Sequence, residues 1–212
     1  MYLFCTITLI VIARSPDYIG TTCNLRLAPF EIASPNFIST RNDDVKTPFS
    51  VSQNYVKMIE MEISVLIEKG LEGCPRGTWF KNIAKQVLTI LNMEPATEVS
   101  LVITNQEKIT ELNRAYLGKD EPTDVIAFSM LPTGETFVTP PDSILHLGEV
   151  IVSYPQAVLQ AKERRHPVKK ELAILIVHGI LHLLGYEDET PEQKSKMDTR
   201  AAQILEVINV VA

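Results

Sequence analysis

Leu172-Ala-Ile-Leu-Ile-Val-His178-Gly-Ile-Leu-His182-Leu-Leu-Gly185-Tyr-Glu-Asp188 is the stretch whose reading decides the fold. Its apolar run has the length of a helix rather than a strand, and two of the chain's four histidines stand four residues apart inside it. On a helix, positions i and i+4 share a face with Cβ atoms about 5–6 Å apart, so both imidazoles can point at one ion. Gly185 supplies the helix stop, and the turn beyond it can bring Asp188 back as a third ligand. One histidine on an apolar helix is more often a hydrogen-bonded core residue than a ligand. A pair differs, because each buried ring needs a polar partner and one shared cation satisfies both, as in the two-histidine helix of zinc enzymes. The stretch predicts a metal-binding helix, and its nearly all-apolar character predicts the central buried helix of the fold.

Outward from that helix, strands and helices interleave. Residues 62–68 read as a strand. Thr78 is placed to cap a helix over 79–91, with Trp79, Ile83, Val87 and Ile90 or Leu91 on one face. Residues 98–104 alternate as a strand, and Asn105 caps a helix over 106–116 with Ile109, Leu112 and Tyr116 inward, ended by Gly118. Residues 123–130 form a second β-rich run, and 131–143, with Pro132, Gly134, Pro140 and Pro141, a loop. A strand over 148–153 leads to a helix from Pro155 to about Arg165. Beyond the metal helix, Thr190-Pro191 opens a last helix with Met197, Ala201, Ile204 and Ile208 on its apolar side. No internal repeat is visible. The interleaving predicts an α+β or α/β domain. We take the α+β form: a small mixed sheet of about four strands flanked by helices, with a zincin-like central helix carrying HxxxH.

A chain of 212 residues can bury one substantial core, and 45% hydrophobic with 22% charged residues is ordinary globular composition. A net charge of −6 argues against a generally basic nucleic-acid binder. It leaves room for a local patch, and Lys162, Arg164, Arg165, His166, Lys169 and Lys170 are the one dense basic cluster. Cys5, Cys23 and Cys74 are widely spaced with no CxxC, which points to a reducing compartment, no disulfide framework and no cysteine ligation of zinc. The apolar run 2–13 is short of the roughly 20 residues needed to span a bilayer. It lacks a basic region before it and a good cleavage site after it, so the expectation is a cytoplasmic protein with no membrane role. Residues 15–53 lack periodicity and carry Pro16, Pro29, Pro35 and Pro48, a composition that does not readily bury a core. We therefore expect 1–57 to be a non-core extension, disordered or a misassigned start with Met58 or Met61 as the true one. Residues 58–212 are then the catalytic metal-binding domain.

His178-Gly-Ile-Leu-His182-Leu-Leu-Gly-Tyr closely resembles the signature of the YbeY family, the metal-dependent endoribonucleases of bacterial ribosomal RNA maturation. Leu112-Asn-Arg-Ala-Tyr-Leu-Gly-Lys-Asp-Glu-Pro-Thr-Asp-Val-Ile-Ala-Phe128 looks like the family's second block, and Leu147-Gly-Glu-Val-Ile-Val-Ser153 like its Gly-acid strand. The similarity runs from roughly Met61 to the C-terminus. It implies the fold expected above and a single-strand-specific endoribonuclease in late ribosomal RNA maturation and ribosome quality control. It also implies one zinc ion or another divalent metal, with ribosomal RNA and the small ribosomal subunit as partners.

Two departures from the family pattern stand out. Asp188 occupies the position where the family usually has a third histidine, so the site would be His178, His182 and a carboxylate. Zinc accepts that set, as does Fe(II), and an anionic ligand acidifies a bound water less than a third imidazole. Glu187 would substitute if the turn were offset by one residue, but Asp188 is in register. Leu117 stands where the family typically has an arginine, and leucine cannot contact a phosphate. Arg114, three positions earlier, reads more readily as a solvated surface residue and is not assigned.

The reaction implied is metal-assisted cleavage of a phosphodiester, with the cation lowering the pKa of a water and polarising a phosphoryl oxygen. A base is also needed. The glutamate of the HExxH metalloproteases is replaced here by Gly179, which argues against peptide hydrolysis by that route. Asp124 and Glu149, each in a family-like block, are the catalytic candidates, with Glu187 behind them, although a strand carboxylate is at least as often a structural acceptor. The basic cluster is equally an RNA footprint or a solvated helix end. Two rival readings are a non-catalytic ribosome-associated assembly factor, in which Leu117 and Asp188 mark lost chemistry, and a zincin-like hydrolase of another substrate, weakened by Gly179.

Overall fold

Residues 61–131, 144–208 and 210 are described by the computed structural model. The expectations for 1–57, for Met58 as the start and for most of the 131–143 loop lie outside the described residues. The elements are β1 (Glu62–Ile67), α1 (Gly77–Ile90), β2 (Thr97–Thr104), α2 (Gln106–Leu117), β3 (Val125–Ser129), β4 (Leu145–Ser153), α3 (Tyr154–Glu163), α4 (Val168–Leu183) and α5 (Pro191–Val207). The strands form one sheet in the order β1-β2-β4-β3. β1, β2 and β4 run parallel while β3 is antiparallel to β4, the four-stranded mixed sheet of an α+β domain.

Local signals set several boundaries where they were expected. The Asn105 side chain accepts from the Lys108 amide at the start of α2, and Gly118 closes that helix at φ 70°. Thr190 and Gln193 form a reciprocal capping box at the start of α5. Thr78 is not the cap of α1. That helix begins at Gly77 behind Arg76, which makes no side-chain cap bond, so its start follows from burying Trp79 and Phe80 rather than from cap chemistry. β4 starts at Leu145, three residues before Gly148, because it pairs with the full length of β2. α3 closes at Glu163, short of Arg165. α4 reaches back to Val168, four residues before the apolar run.

Helices cover both faces of the sheet. On one, α4 buries every residue from Glu171 to Leu183 except Ile174. Its side chains join those of α1 and of Val99, Leu101, Ile103, Ala127, Val150 and Val152 in the main core. Each fully buried Leu, Ile or Val there stabilises by about 1.5–3 kcal/mol. Gly179 lets the helix approach, since a Cβ at that position would lie 2.4 Å from Val150 Cγ1. On the other face, Ile109 of α2 packs with Ile126 and Ile151 in a smaller cluster. At the register shift between Glu98 and Val99, Leu147 is the extra, unpaired residue of β4 opposite β2. Beside it Gly148 has φ +124°, and a Cβ there would sit 2.0 Å from the Phe128 carbonyl oxygen. Among the described residues, no helix is long and apolar enough to cross a membrane.

Candidate metal centre

The C-terminal end of α4 builds the site. Gly185, at φ 82°, allows the chain to turn so that the Tyr186 amide donates to the Leu181 carbonyl at 3.0 Å and the Gly185 amide to the His182 carbonyl at 2.9 Å, the two bonds of a Schellman motif. The turn brings the Tyr186 carbonyl oxygen to 2.6 Å from His182 Nδ1. A carbonyl only accepts, so Nδ1 carries the proton and Nε2 keeps its lone pair. Ser129 at the end of β3 donates from Oγ to the Leu183 carbonyl at 3.0 Å and anchors the helix end to the sheet.

His178 and His182 are both buried. Their rings meet edge to face at 86°, with the two Nε2 atoms 3.0 Å apart. Asp188, half-buried, completes a group whose ligand atoms all lie within 4.8 Å of one another. These residues fit a divalent cation. Two nitrogens bound to one tetrahedral zinc at about 2.0–2.1 Å are about 3.3 Å apart, close to the spacing present, and the carbonyl behind His182 is the usual outer partner that fixes a ligating ring.

The other candidates fall elsewhere. Glu187 Oε2 accepts from Gln193 Nε2 at 2.6 Å, which turns this carboxylate toward α5 and leaves Asp188 as the third member of the group. Asp124 is buried just before β3, where its Oδ1 accepts from the Val125 amide at 2.8 Å and its Oδ2 from Gln160 Nε2 at 2.9 Å. Glu149 is in register with Phe128, whose ring packs on Tyr116 of α2. It therefore points to the α2 face of the sheet, whereas its neighbour Val150 abuts α4. Burial pushes the Glu149 carboxyl above the usual range. Neither Asp124 nor Glu149 belongs to the close-packed group around the two histidines.

Leu117 packs against the apolar cluster under α2, and Arg114 is exposed and ion-paired with Asp120. The basic cluster lies around the N-terminal end of α4, about 20 Å along the helix from His182 at 1.5 Å per residue. Arg164 and His166 both engage Glu171, a carboxylate with no solvent exposure, and Lys169 lies 5.8 Å over the Trp79 ring. Three members of the cluster thus have partners within the fold. Sequence reasoning missed Ser129, the Tyr186 carbonyl and Gln193. Thr190-x-x-Gln193 is a visible capping-box signal, whereas the other two contacts are long-range or backbone contacts with no local signature.

The chain is similar to several known proteins. The family model described as Endoribonuclease YbeY matches residues 75–209. An Endoribonuclease YbeY from Dehalococcoides mccartyi is 43% identical over 159 residues, covering 70% of this chain and 99% of the relative. One from Lysinibacillus sphaericus is 39% identical over 132 residues, covering 61% of this chain and 84% of the relative. A solution structure of a Thermotoga maritima protein, 25% identical, aligns over 69% of this chain and 87% of its own with a TM-score of 0.46. With more than half its length matched to one family model and 43% identity to a relative covered over 99% of its length, the chain belongs to the YbeY endoribonuclease family.

Proposed function

We propose that this YbeY-family endoribonuclease cleaves single-stranded RNA by using one divalent cation, zinc in the first instance, held by His178, His182 and Asp188. The observation that carries the reading is the 3.0 Å approach of the two buried Nε2 atoms with a carboxylate in the same 4.8 Å group. A cation there supplies Lewis acidity toward a water and a phosphoryl oxygen. The chain's own residues do the rest. The Tyr186 carbonyl keeps His182 in the tautomer that offers Nε2, Ser129 holds the helix end, and the buried walls of α4 exclude water from behind the histidines. Substrate in this reading is ribosomal RNA, met on the small ribosomal subunit in the cytoplasm. Exposed Lys162, Arg165 and Lys170 are the members of the basic cluster left to meet phosphates at a distance from the centre.

Elemental analysis of purified protein, followed by cleavage of a single-stranded RNA with and without chelator, tests the proposal. Stoichiometric metal and chelator-sensitive cleavage are expected. Stoichiometric metal without cleavage would favour the assembly-factor reading instead. Asp188→His should keep the metal and hold or raise activity, while Asp188→Ala should weaken binding. An unchanged affinity in Asp188→Ala removes this residue from the site.

A further inference from the structure

We infer that Gln193 is a positioning residue for the cation site: its side chain holds the turn that presents Asp188 by gripping the residues on both sides of it. The inference rests on the reading of Asp188 as a ligand. Gln193 Oε1 accepts from the Thr190 amide at 2.9 Å, and its own amide donates to Thr190 Oγ1 at 3.2 Å. The same side chain reaches back with Nε2 to Glu187 Oε2 at 2.6 Å. Only this orientation of the amide serves both neighbours, because the Thr190 N–H needs an acceptor and the Glu187 carboxylate needs a donor. Residues 185–190 contain no helix or strand, so their shape depends on such contacts. One end is set by the Schellman turn at Gly185, and the other by the first turn of α5. Gln193 joins the two ends across Asp188, and it also orients Glu187 away from the cation group, so that one carboxylate rather than two faces the histidines.

A capping role and a positioning role make different predictions. Glutamate at this position preserves the capping box, since its carboxylate accepts from the Thr190 amide as well as glutamine does. It cannot donate to Glu187 and instead sets one carboxylate against another. Coulomb attraction alone would make an added negative charge tighten cation binding, so weaker binding reports lost geometry.

Zinc affinity should be measured by competition with a chromophoric chelator for the full chain and for Gln193→Glu, Glu187→Gln/Gln193→Glu and Asp188→Ala, with unfolding midpoints of the metal-free forms alongside. Gln193→Glu should bind zinc about 10-fold more weakly, the lower end of the loss typical for an outer-shell partner, with a metal-free midpoint close to that of the parent. The double variant, which exchanges amide and carboxylate and so restores the donor–acceptor pair, should regain most of the lost affinity. Parent-like affinity in Gln193→Glu, a loss that the exchange does not rescue, or a loss matched by a fall in the metal-free midpoint each overturns the inference. Asp188→Ala separates the two levels. If it weakens binding while Gln193→Glu does not, the ligand reading stands and the positioning role falls; if Asp188→Ala binds zinc like the parent, both fall.

Discussion

His182 Nδ1 lies 2.6 Å from the carbonyl oxygen of Tyr186, and that contact decides which ring nitrogen faces His178. It exists because Gly185 takes a left-handed conformation and folds the chain back over the last turn of α4. The tautomer of a candidate ligand is thus traceable to one glycine.

Replacing His182 by alanine should abolish metal retention through dialysis, a larger effect than the 10–100-fold typical of losing an outer partner. Metal content by elemental analysis reads it directly. Stoichiometric metal in the variant would place the site elsewhere.

Gly179→Ala should destabilise the fold by about 1–3 kcal/mol, as overpacking of a filled core does, because its Cβ would enter the volume of Val150 Cγ1. Val150→Ala in the same chain should recover part of that loss, since residues in direct contact couple. Urea unfolding of the two single variants and the double checks it, and strictly additive losses would contradict the contact.

At the other end of α4, Glu171 is fully buried between Arg164 and His166, while the Arg164 side chain is 41% exposed. The two partners should therefore respond unequally. Arg164→Ala leaves the buried carboxylate with His166 alone and should cost about 3 kcal/mol, whereas after Glu171→Gln the arginine can turn to water and the cost should be smaller. Denaturant midpoints compare them, and the reverse order would show that His166, 2.9 Å from the other carboxylate oxygen, satisfies Glu171 without Arg164.

Glu149 carries a pH dependence of stability. Burial raises its carboxyl above the ordinary value, so the folded chain holds this proton more tightly than the unfolded chain. Its contribution is most favourable below the unfolded value and declines as pH rises from there through the folded value. Glu149→Gln should therefore raise Tm by a few degrees at pH 7 and change it little at pH 4. Equal Tm values at pH 7 would rule out the penalty.

The paired-histidine pattern and the helix ends were legible in the residues because both are local. A period of 3.6 puts His178 and His182 on one face, Asn105 and Thr190 carry their own acceptors, and Gly118 and Gly185 take the left-handed positions that stop helices. The preference for Asp188 over Glu187 was a matter of register, and the contact of Glu187 with Gln193 turns that carboxylate away in the same sense.

Only the packed fold decided which charges remain available and which carboxylates meet the histidines. Alternation along β4 separates Glu149 from Val150 but does not say which face α4 covers, so Glu149 looked eligible for a site whose helix lies across the sheet from it. The run of basic residues before α4 gave no sign that Glu171, five positions past His166, would be buried and pair with Arg164 and His166. The start of α1 likewise followed the burial of Trp79 and Phe80 rather than the cap chemistry of Thr78. Each of these outcomes depends on contacts between segments distant in sequence, or on how much water a side chain loses, and neither quantity is set by spacing along the chain.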